Sequence, residues 1–575
     1  MQDLSLYTLR HIVERASRLF KDAPAYSAVG GTPLTFGEVC EHVTKLSLWL
    51  EEEGIGRGDR VAILSESCVH WGIVYFAITS MGAVAVPILP DFHPDAIQHI
   101  LRHSEAKAIF VSEKLYSKLE ECKDIEDILG VSMESFMPIE YGTTRAKVRD
   151  LKAMGLREFR KLREKAVRMK ASALGQNEEH NGLDIGAPYE PQEEDTAVII
   201  YTSGTTGHSK GVMLSHKNIV WDAHAVRALI QLHVGDRMLS ILPLAHTYEC
   251  TLGLILPMIN GVHVHYLEKP PTARALLPAF AAVRPTAMLS VPLVIEKMYK
   301  TSLLPKLTGS WLKKKLYAVP MVRRKLNAIA GRKLLEIFGG ELKIFCIGGA
   351  GLAPDVEQFL REAKFPYAIG YGLTETAPLI AGSGPEATRF TSTGYTMPDT
   401  KIRIVDADPK TGNGEIVVKG PSVMQGYYKA PQVSKEAFTL DGWFRTGDLG
   451  RFDKDGYLYI KGRLKNVIIG PSGENIYPEE IEALIHQSPY VLESLVLQVD
   501  GKLVARIHLD STRMDEEFGN LTAAEAAAQT KALLETLRLE VNSKVSAFAK
   551  ISKVVNQQEP FEKTPTHKIK RFLYV

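Results

Sequence analysis

The spacing of apolar positions changes repeatedly along the first hundred residues. Segments 36–50 and 71–81 repeat their apolar residues at helical spacing, and short apolar runs at 61–64, 83–88 and 108–111 lie between and after them. Strands alternating with helices predict a mostly parallel sheet covered by helices. The alternation resumes at Thr196 and continues to about residue 380. Beyond Met397 the texture changes to short apolar runs at 401–405, 414–419 and 457–461 separated by Gly and Asp turns, which predicts a small β-rich region. The last hundred residues mix helical spacing (478–486, 523–541) with strand-like runs (495–499, 503–508), enough for a small α+β domain. The expected fold is therefore α/β: a large N-terminal domain of helix-covered sheets with a β-rich subdomain, then a small α+β C-terminal domain.

Bulk properties narrow the classes. A chain of 575 residues exceeds one ordinary core, so at least two domains are expected. Hydrophobic content of 45% and charged content of 24% sit at the average for a globular protein, so disorder is not the default reading. With 69 basic and 67 acidic residues, no global charge draws it to nucleic acid. Cys40, Cys68, Cys122, Cys250 and Cys346 are scattered, which argues against a disulfide framework or a zinc site; Cys250 and Cys346 lie among apolar neighbours and read as buried thiols. The N-terminal stretch lacks the apolar core of a signal peptide, and Asp3 and Glu14 argue against a transit peptide. The most apolar stretch, 250–259, is too short to span a bilayer. A cytoplasmic protein, at most peripheral on a membrane surface, is expected.

Two basic segments bear on that surface. In 145–173, Leu151, Leu156, Phe159 and Leu162 share one helix face among Arg and Lys. Segment 310–333 carries eight basic residues, no acidic one, and Trp311. Such composition suits an anionic membrane surface. A solvated helix face is the alternative; the two readings balance for 145–173, and 310–333 leans toward membrane.

The densest chemistry follows the apolar run 195–201. Thr202-Ser203-Gly204-Thr205-Thr206-Gly207-His208-Ser209-Lys210-Gly211 combines glycines, hydroxyls and one lysine. Glycines let backbone N–H groups approach an anion, and Lys210 adds charge, so this is a cradle for a polyphosphate. It lacks the Walker A spacing. Residues 212–214 read as a second strand and Ser215 as the N-cap of a following helix, so the loop closes a strand pair. A flexible polar loop is the plain alternative; the lysine, the hydroxyls and the preceding strand weigh against it.

The run YTSGTTGHSKGVMLSH resembles the signature loop of the adenylate-forming superfamily, which includes acyl-CoA synthetases, luciferases and adenylation domains. Further matching runs occur in the same order: LPLAHTYE at 242–249, GGAGL at 348–352, YGLTET at 371–376, WFRTGDLG at 443–450, GRLKNVIIGPSGENIYPEEIE at 462–482 and EKTPTHKIKR at 562–571. The resemblance extends from about Leu34 to the C-terminus, and the chain is most similar in appearance to long-chain fatty acid–CoA ligases.

The resemblance implies roles that the residues can also sustain chemically. Tyr371 can stack on adenine, Gly372 belongs to the same nucleotide-binding turn, Thr374 can donate to a phosphate oxygen, and Glu375 with Thr206 can hold Mg²⁺. Gly348, Gly349 and Ala350 would line the adenine pocket. Asp448 suits a ribose diol and would lie in a turn after Thr446-Gly447; Arg463 suits ribose and phosphate contacts. Each of these, alone, also reads as an ordinary turn or surface residue. His246 is placed beside the acyl and phosphate site by resemblance only, since a lone histidine among apolar residues is more often plain core. Lys568 matches the lysine that a C-terminal lid inserts during adenylation, although His567 stands where the family often has Gly, and Lys570 and Arg571 are rivals. Lys465 matches the hinge, dividing 1–464 from a mobile 465–575.

The implied activity is ATP-dependent ligation of a long-chain fatty acid to coenzyme A through an acyl-adenylate, releasing AMP and pyrophosphate. An acyl-AMP ligase loading a carrier protein, a luciferase-type oxidase and a non-catalytic acyl- or nucleotide-binding paralogue are the alternatives. Segments 251–261 and 289–298 can line an acyl tunnel or be plain core.

Overall fold

The structure, a computed structural model, describes residues 4–125, 127–139, 189–202, 209–470, 474–519, 521–564 and 569–574. The basic segment 145–173 lies outside them.

Local signals set the first layer. Helix Phe36–Glu52 begins at a capping box in which Thr35 and Glu38 satisfy each other's backbone N–H groups. Helix Val69–Ser80 is apolar nearly all round and is buried from Trp71 to Ser80. Strands Arg60–Leu64, Val84–Ile88 and Ala106–Val111 pair in parallel, as the spacing predicts.

Two large sheets carry the body of the chain. One runs in the order Leu129–Ser132, Ala106–Val111, Arg60–Leu64, Val84–Ile88, Thr196–Thr202, Lys210–Ser215, Gly426–Tyr427. It is parallel through Thr196–Thr202 and antiparallel beyond. The other has a parallel centre of Pro24–Ala28, His263–Tyr266, Arg237–Ser240, Ala287–Ser290, Ile344–Ile347 and Tyr367–Gly372. Its edges, Leu34–Thr35 on one side and Leu379–Ser383 with Tyr395–Thr396 on the other, are antiparallel. A continuous core joins the sheets through helices Leu9–Leu19, Phe36–Glu52, Val69–Ser80 and His216–Ala225. A second core covers the second sheet, where Phe280, Leu334 and Phe359 of three helices pack on Phe345 and Tyr367. Each such side chain contributes about 1.5–3 kcal/mol by leaving water.

The β-rich region is an antiparallel sheet of Lys401–Val405, Gly414–Lys419, Phe444–Phe452 and Leu458–Arg463. Its third strand corrects the expectation of a turn at Asp448. The chain stays in the sheet but bulges at Thr446–Asp448, where Gly447 takes φ +68°, a left-handed conformation that glycine adopts without strain.

The C-terminal part has its own core. Strands Val491–Val499, Lys502–Leu509 and Lys553–Asn556 receive helices Pro478–Ile485 and Ala523–Asn542, burying Ile481, Ile485, Val496, Ile507 and Val541. It touches the larger part at Lys300, whose Nζ donates to the His486 carbonyl (2.5 Å) and whose own carbonyl accepts from Arg513 (2.6 Å). Among the described residues no cysteine forms a disulfide, and burial pushes the Cys250 and Cys346 thiols up to about 12.

Candidate active site

The strands on either side of the expected phosphate loop form a hairpin. Strand Thr196–Thr202 pairs antiparallel with Lys210–Ser215, and Thr202 lies opposite Lys210. Ser215 then caps helix His216–Ala225 by accepting from the Asn218 N–H. Ser203, Gly204, Thr205, Thr206 and Gly207 lie outside the described residues, as does Lys568. The rivals of Lys568 are engaged: Lys570 pairs with Glu562 (3.0 Å), and Arg571 reaches both oxygens of Glu482.

Lys210 and Glu375 are joined by a residue the sequence reading did not single out. Strand Gly426–Tyr427 adds to the edge of the hairpin, with Tyr427 opposite Val212. The Lys210 ammonium lies 5.2 Å from the centre of the Tyr427 ring, and the Tyr427 hydroxyl donates to Glu375 Oε1 (3.0 Å). The Met424 N–H donates to the Glu375 carbonyl (2.9 Å), fixing the same junction. Burial first, then the Glu375 charge, raises the Tyr427 phenol above its ordinary value, so it remains a donor. Its sequence signal was an aromatic pair, Tyr427-Tyr428, after a glycine.

A second constellation forms on the β-rich sheet. Asp448 and Arg463 are cross-strand partners, and Arg463 Nε lies 2.9 Å from Asp448 Oδ1. The other carboxylate oxygen accepts from the Tyr371 hydroxyl (2.7 Å). Burial, then the Asp448 charge, raises the Tyr371 phenol well above its ordinary value. Tyr371 is the last residue but one of strand Tyr367–Gly372, and the turn Thr374–Thr376 follows after Leu373. Gly372 is required there, because a Cβ would stand 1.7 Å from the Pro378 carbonyl oxygen. The Thr374 hydroxyl makes no hydrogen bond among the described residues.

The remaining candidates sit beneath these two groups. Gly348-Gly349-Ala350 follows strand Ile344–Ile347; Gly348 is buried against the Tyr248 ring, while Gly349 and Ala350 are exposed. His246 caps the turn containing Tyr248, its Nδ1 accepting from the Tyr248 N–H (3.2 Å), which leaves the ring proton on Nε2. Thr251 donates to the Ala377 carbonyl (2.9 Å), tying this helix to the 374–376 turn. Residues 250–260 are wholly buried, and in 289–298 Leu293 faces solvent. Glu249, in the same motif, is also buried; Ser240 donates to it (2.6 Å), and burial pushes its carboxyl up to about 8. Lys465 is exposed in the turn Leu464–Asn466 that follows Arg463, with no ion pair among the described residues.

These groups comprise an exposed glycine shelf, an aromatic ring, a carboxylate–guanidinium pair, a lysine with no ion pair among the described residues and a half-buried carboxylate. That donor set suits a nucleotide and its phosphates.

Known proteins point the same way. The chain is 29% identical to the long-chain-fatty-acid–CoA ligase FadD15 of Mycobacterium bovis, covering 94% of this chain and 90% of that one. It is likewise 29% identical to the peroxisomal long chain acyl-CoA synthetase 6 of Arabidopsis thaliana, covering 94% and 79%. Its fold matches the O-succinylbenzoate coenzyme A synthetase of Bacillus subtilis, in complex with ATP and a magnesium ion, at a TM-score of 0.71 over 98% of both chains with 20% identity. Residues 13–428 match the AMP-binding enzymes, and the chain belongs to that family.

Proposed function

We propose that this chain ligates a long-chain fatty acid to coenzyme A through an acyl-adenylate, releasing AMP and pyrophosphate. The observation that carries the reading is the junction of Tyr371–Asp448–Arg463 with Lys210–Tyr427–Glu375, two groups that suit the two ends of a nucleoside triphosphate. The names of the relatives supply the long-chain acid and coenzyme A.

The residues fit ATP with Mg²⁺. Asp448, held by Arg463 and the Tyr371 hydroxyl, presents carboxylate oxygens of the kind that accept from a ribose diol. Since the Tyr371 hydroxyl is committed to Asp448, its ring is what remains for the base. Glu375 Oε2 accepts no hydrogen bond from the described residues and, with Thr206, would hold the cation. Such an ion, when bound, draws charge from the phosphate oxygens.

In the first step a carboxylate oxygen of the acid bonds to the α-phosphorus, and the bond from that phosphorus to pyrophosphate breaks. Lys568, Thr374 and the loop N–H groups would stabilise the charge that develops. In the second, the thiolate sulfur of coenzyme A bonds to the acyl carbon, and the acyl–oxygen bond breaks to release AMP. The proton lost by the thiol passes to solvent. Units 1–464 and 465–575 would rotate about Lys465 between the steps, a reading supported by the separate core of the smaller one.

The test mixes the protein with ATP, Mg²⁺, coenzyme A and palmitate, and follows AMP and palmitoyl-CoA. Palmitoyl-CoA formed in step with AMP is the expected result. AMP formed only with shorter acids would discard the long-chain assignment, and adenylate without thioester would turn the reading toward a carrier-protein ligase.

A further inference from the structure

The basic segment the sequence singled out forms a helical hairpin with two unlike faces. Helix Trp311–Ala318 starts at Ser310, which accepts from the Lys313 N–H, and the chain reverses at Val319 into helix Pro320–Ile337. The inner face is fastened. Asn327, Ala330, Gly331 and Leu334 are buried. The Tyr317 hydroxyl donates to Asn327 Oδ1 (2.9 Å), Asn327 Nδ2 donates to Glu362 (2.8 Å), and Arg323 pairs with the same carboxylate (2.8 Å).

The outer face is apolar and cationic at once. Trp311 is 69% exposed and Met321 72%, with Leu312, Leu316 and Val319 exposed between them. Single apolar side chains on a surface are ordinary, but a run of them on one short hairpin marks an interaction site. Lys313, Lys314, Arg324 and Lys325 are exposed around them, and none has a carboxylate within 4.0 Å among the described residues. Lys315 lies 5.0 Å from the centre of the Trp311 ring.

We propose that this hairpin docks on a bilayer surface bearing anionic headgroups. Charge complementarity selects that occupant. A second copy would set two all-basic faces against each other. A nucleic acid would satisfy the lysines and arginines but leave Leu312, Leu316 and Met321 in water. A bilayer interface takes both: lipid phosphates meet the cations, while Trp, Leu and Met enter the acyl boundary. Shallow docking needs no spanning helix, and none of the described helices is long and apolar enough to cross a membrane.

The full chain is sedimented with phosphatidylcholine vesicles and with vesicles that also contain phosphatidylglycerol, without ATP or fatty acid, so the result is independent of ligase activity. Binding to the anionic vesicles, weakened by salt, with a blue shift of tryptophan emission that Trp311→Phe abolishes, is the expected result. Replacing Lys313, Lys314 and Lys315 together by Gln should lower the partition coefficient on the order of one hundredfold, at about 1 kcal/mol per basic residue. Equal binding to both vesicle types overturns the proposal, as does emission unchanged by vesicles or capture by heparin with none by vesicles. Should the triple variant unfold on a thermal melt, Trp311→Phe still decides the outcome.

Discussion

The two walls of the site differ in how their charges are compensated. On the wall we propose for the ribose, Asp448 is met by Arg463 and by the Tyr371 hydroxyl, all positioned from strands. On the wall we propose for the phosphates, Lys210 has an aromatic face beside it and no carboxylate within 4.0 Å among the described residues, and Glu375 has a single phenol. A carboxylate recognising neutral hydroxyls must be held ionised and oriented, so the protein supplies its counter-charge. In the proposed reading, a lysine facing phosphates is left for the ligand to neutralise. Where a protein leaves charge unmatched in a half-buried junction, the ligand supplies the opposite sign.

Four changes would sharpen or break this comparison. The largest effect is expected at Lys568. Lys568→Ala should slow pyrophosphate release on the order of 10²–10³-fold while transfer from preformed acyl-AMP to coenzyme A persists. Equal loss in both half-reactions, measured separately, would remove the lysine from the first step. Next, Asp448→Asn breaks the ribose wall. With charge-assisted hydrogen bonds contributing about 1.5–3 kcal/mol, kcat/KM for ATP should fall about 10- to 100-fold. A matching loss with a triphosphate lacking the ribose hydroxyls would contradict the assignment, since that substrate has nothing for Asp448 to hold.

Tyr427→Phe deletes one neutral donor from the phosphate wall. A loss of about 1 kcal/mol predicts a roughly fivefold fall in turnover, visible as a raised Mg²⁺ requirement; an unchanged Mg²⁺ titration would make Tyr427 a packing residue only. The smallest change concerns stability beneath the site. The Glu249 carboxyl ordinarily titrates at 4.5 and is pushed to about 8 by burial. Between those values the folded chain holds a proton that the unfolded chain has shed. Glu249 therefore contributes stability fully present below pH 4.5 and lost as pH rises through about 8. Glu249→Gln, neutral at every pH, should flatten the decline of melting temperature across that window; an identical slope in variant and parent would place the titration elsewhere.

Much of this was legible in the chain because it is local. The period change at 36–111 produced helix Phe36–Glu52 and strands Arg60–Leu64 and Val84–Ile88 nearly to the residue, and Ser215 capped the helix it preceded. Asp448 was misread as a turn residue because Thr446-Gly447 carries turn chemistry; the neighbouring strands Gly414–Lys419 and Leu458–Arg463 hold the segment in the sheet and reduce the turn to a bulge. Tyr427 was passed over because an aromatic in a loop-like stretch carries no sign of its partner, 52 residues away.

The sequence by itself determined the alternation of elements, the strand hairpin that closes on Lys210, and the set of residue types able to handle a nucleotide. These follow from periodicity and from chemistry within a few residues. The tertiary structure alone decided which of those residues meet: that Tyr371 shares Asp448 with Arg463 across 77 residues, that Tyr427 spans Lys210 and Glu375, and that the apolar residues of the basic hairpin face outward. Register between distant strands, and the packing of one helix face over the other, set those meetings. Both are properties of segments brought together, which no single stretch of chain contains.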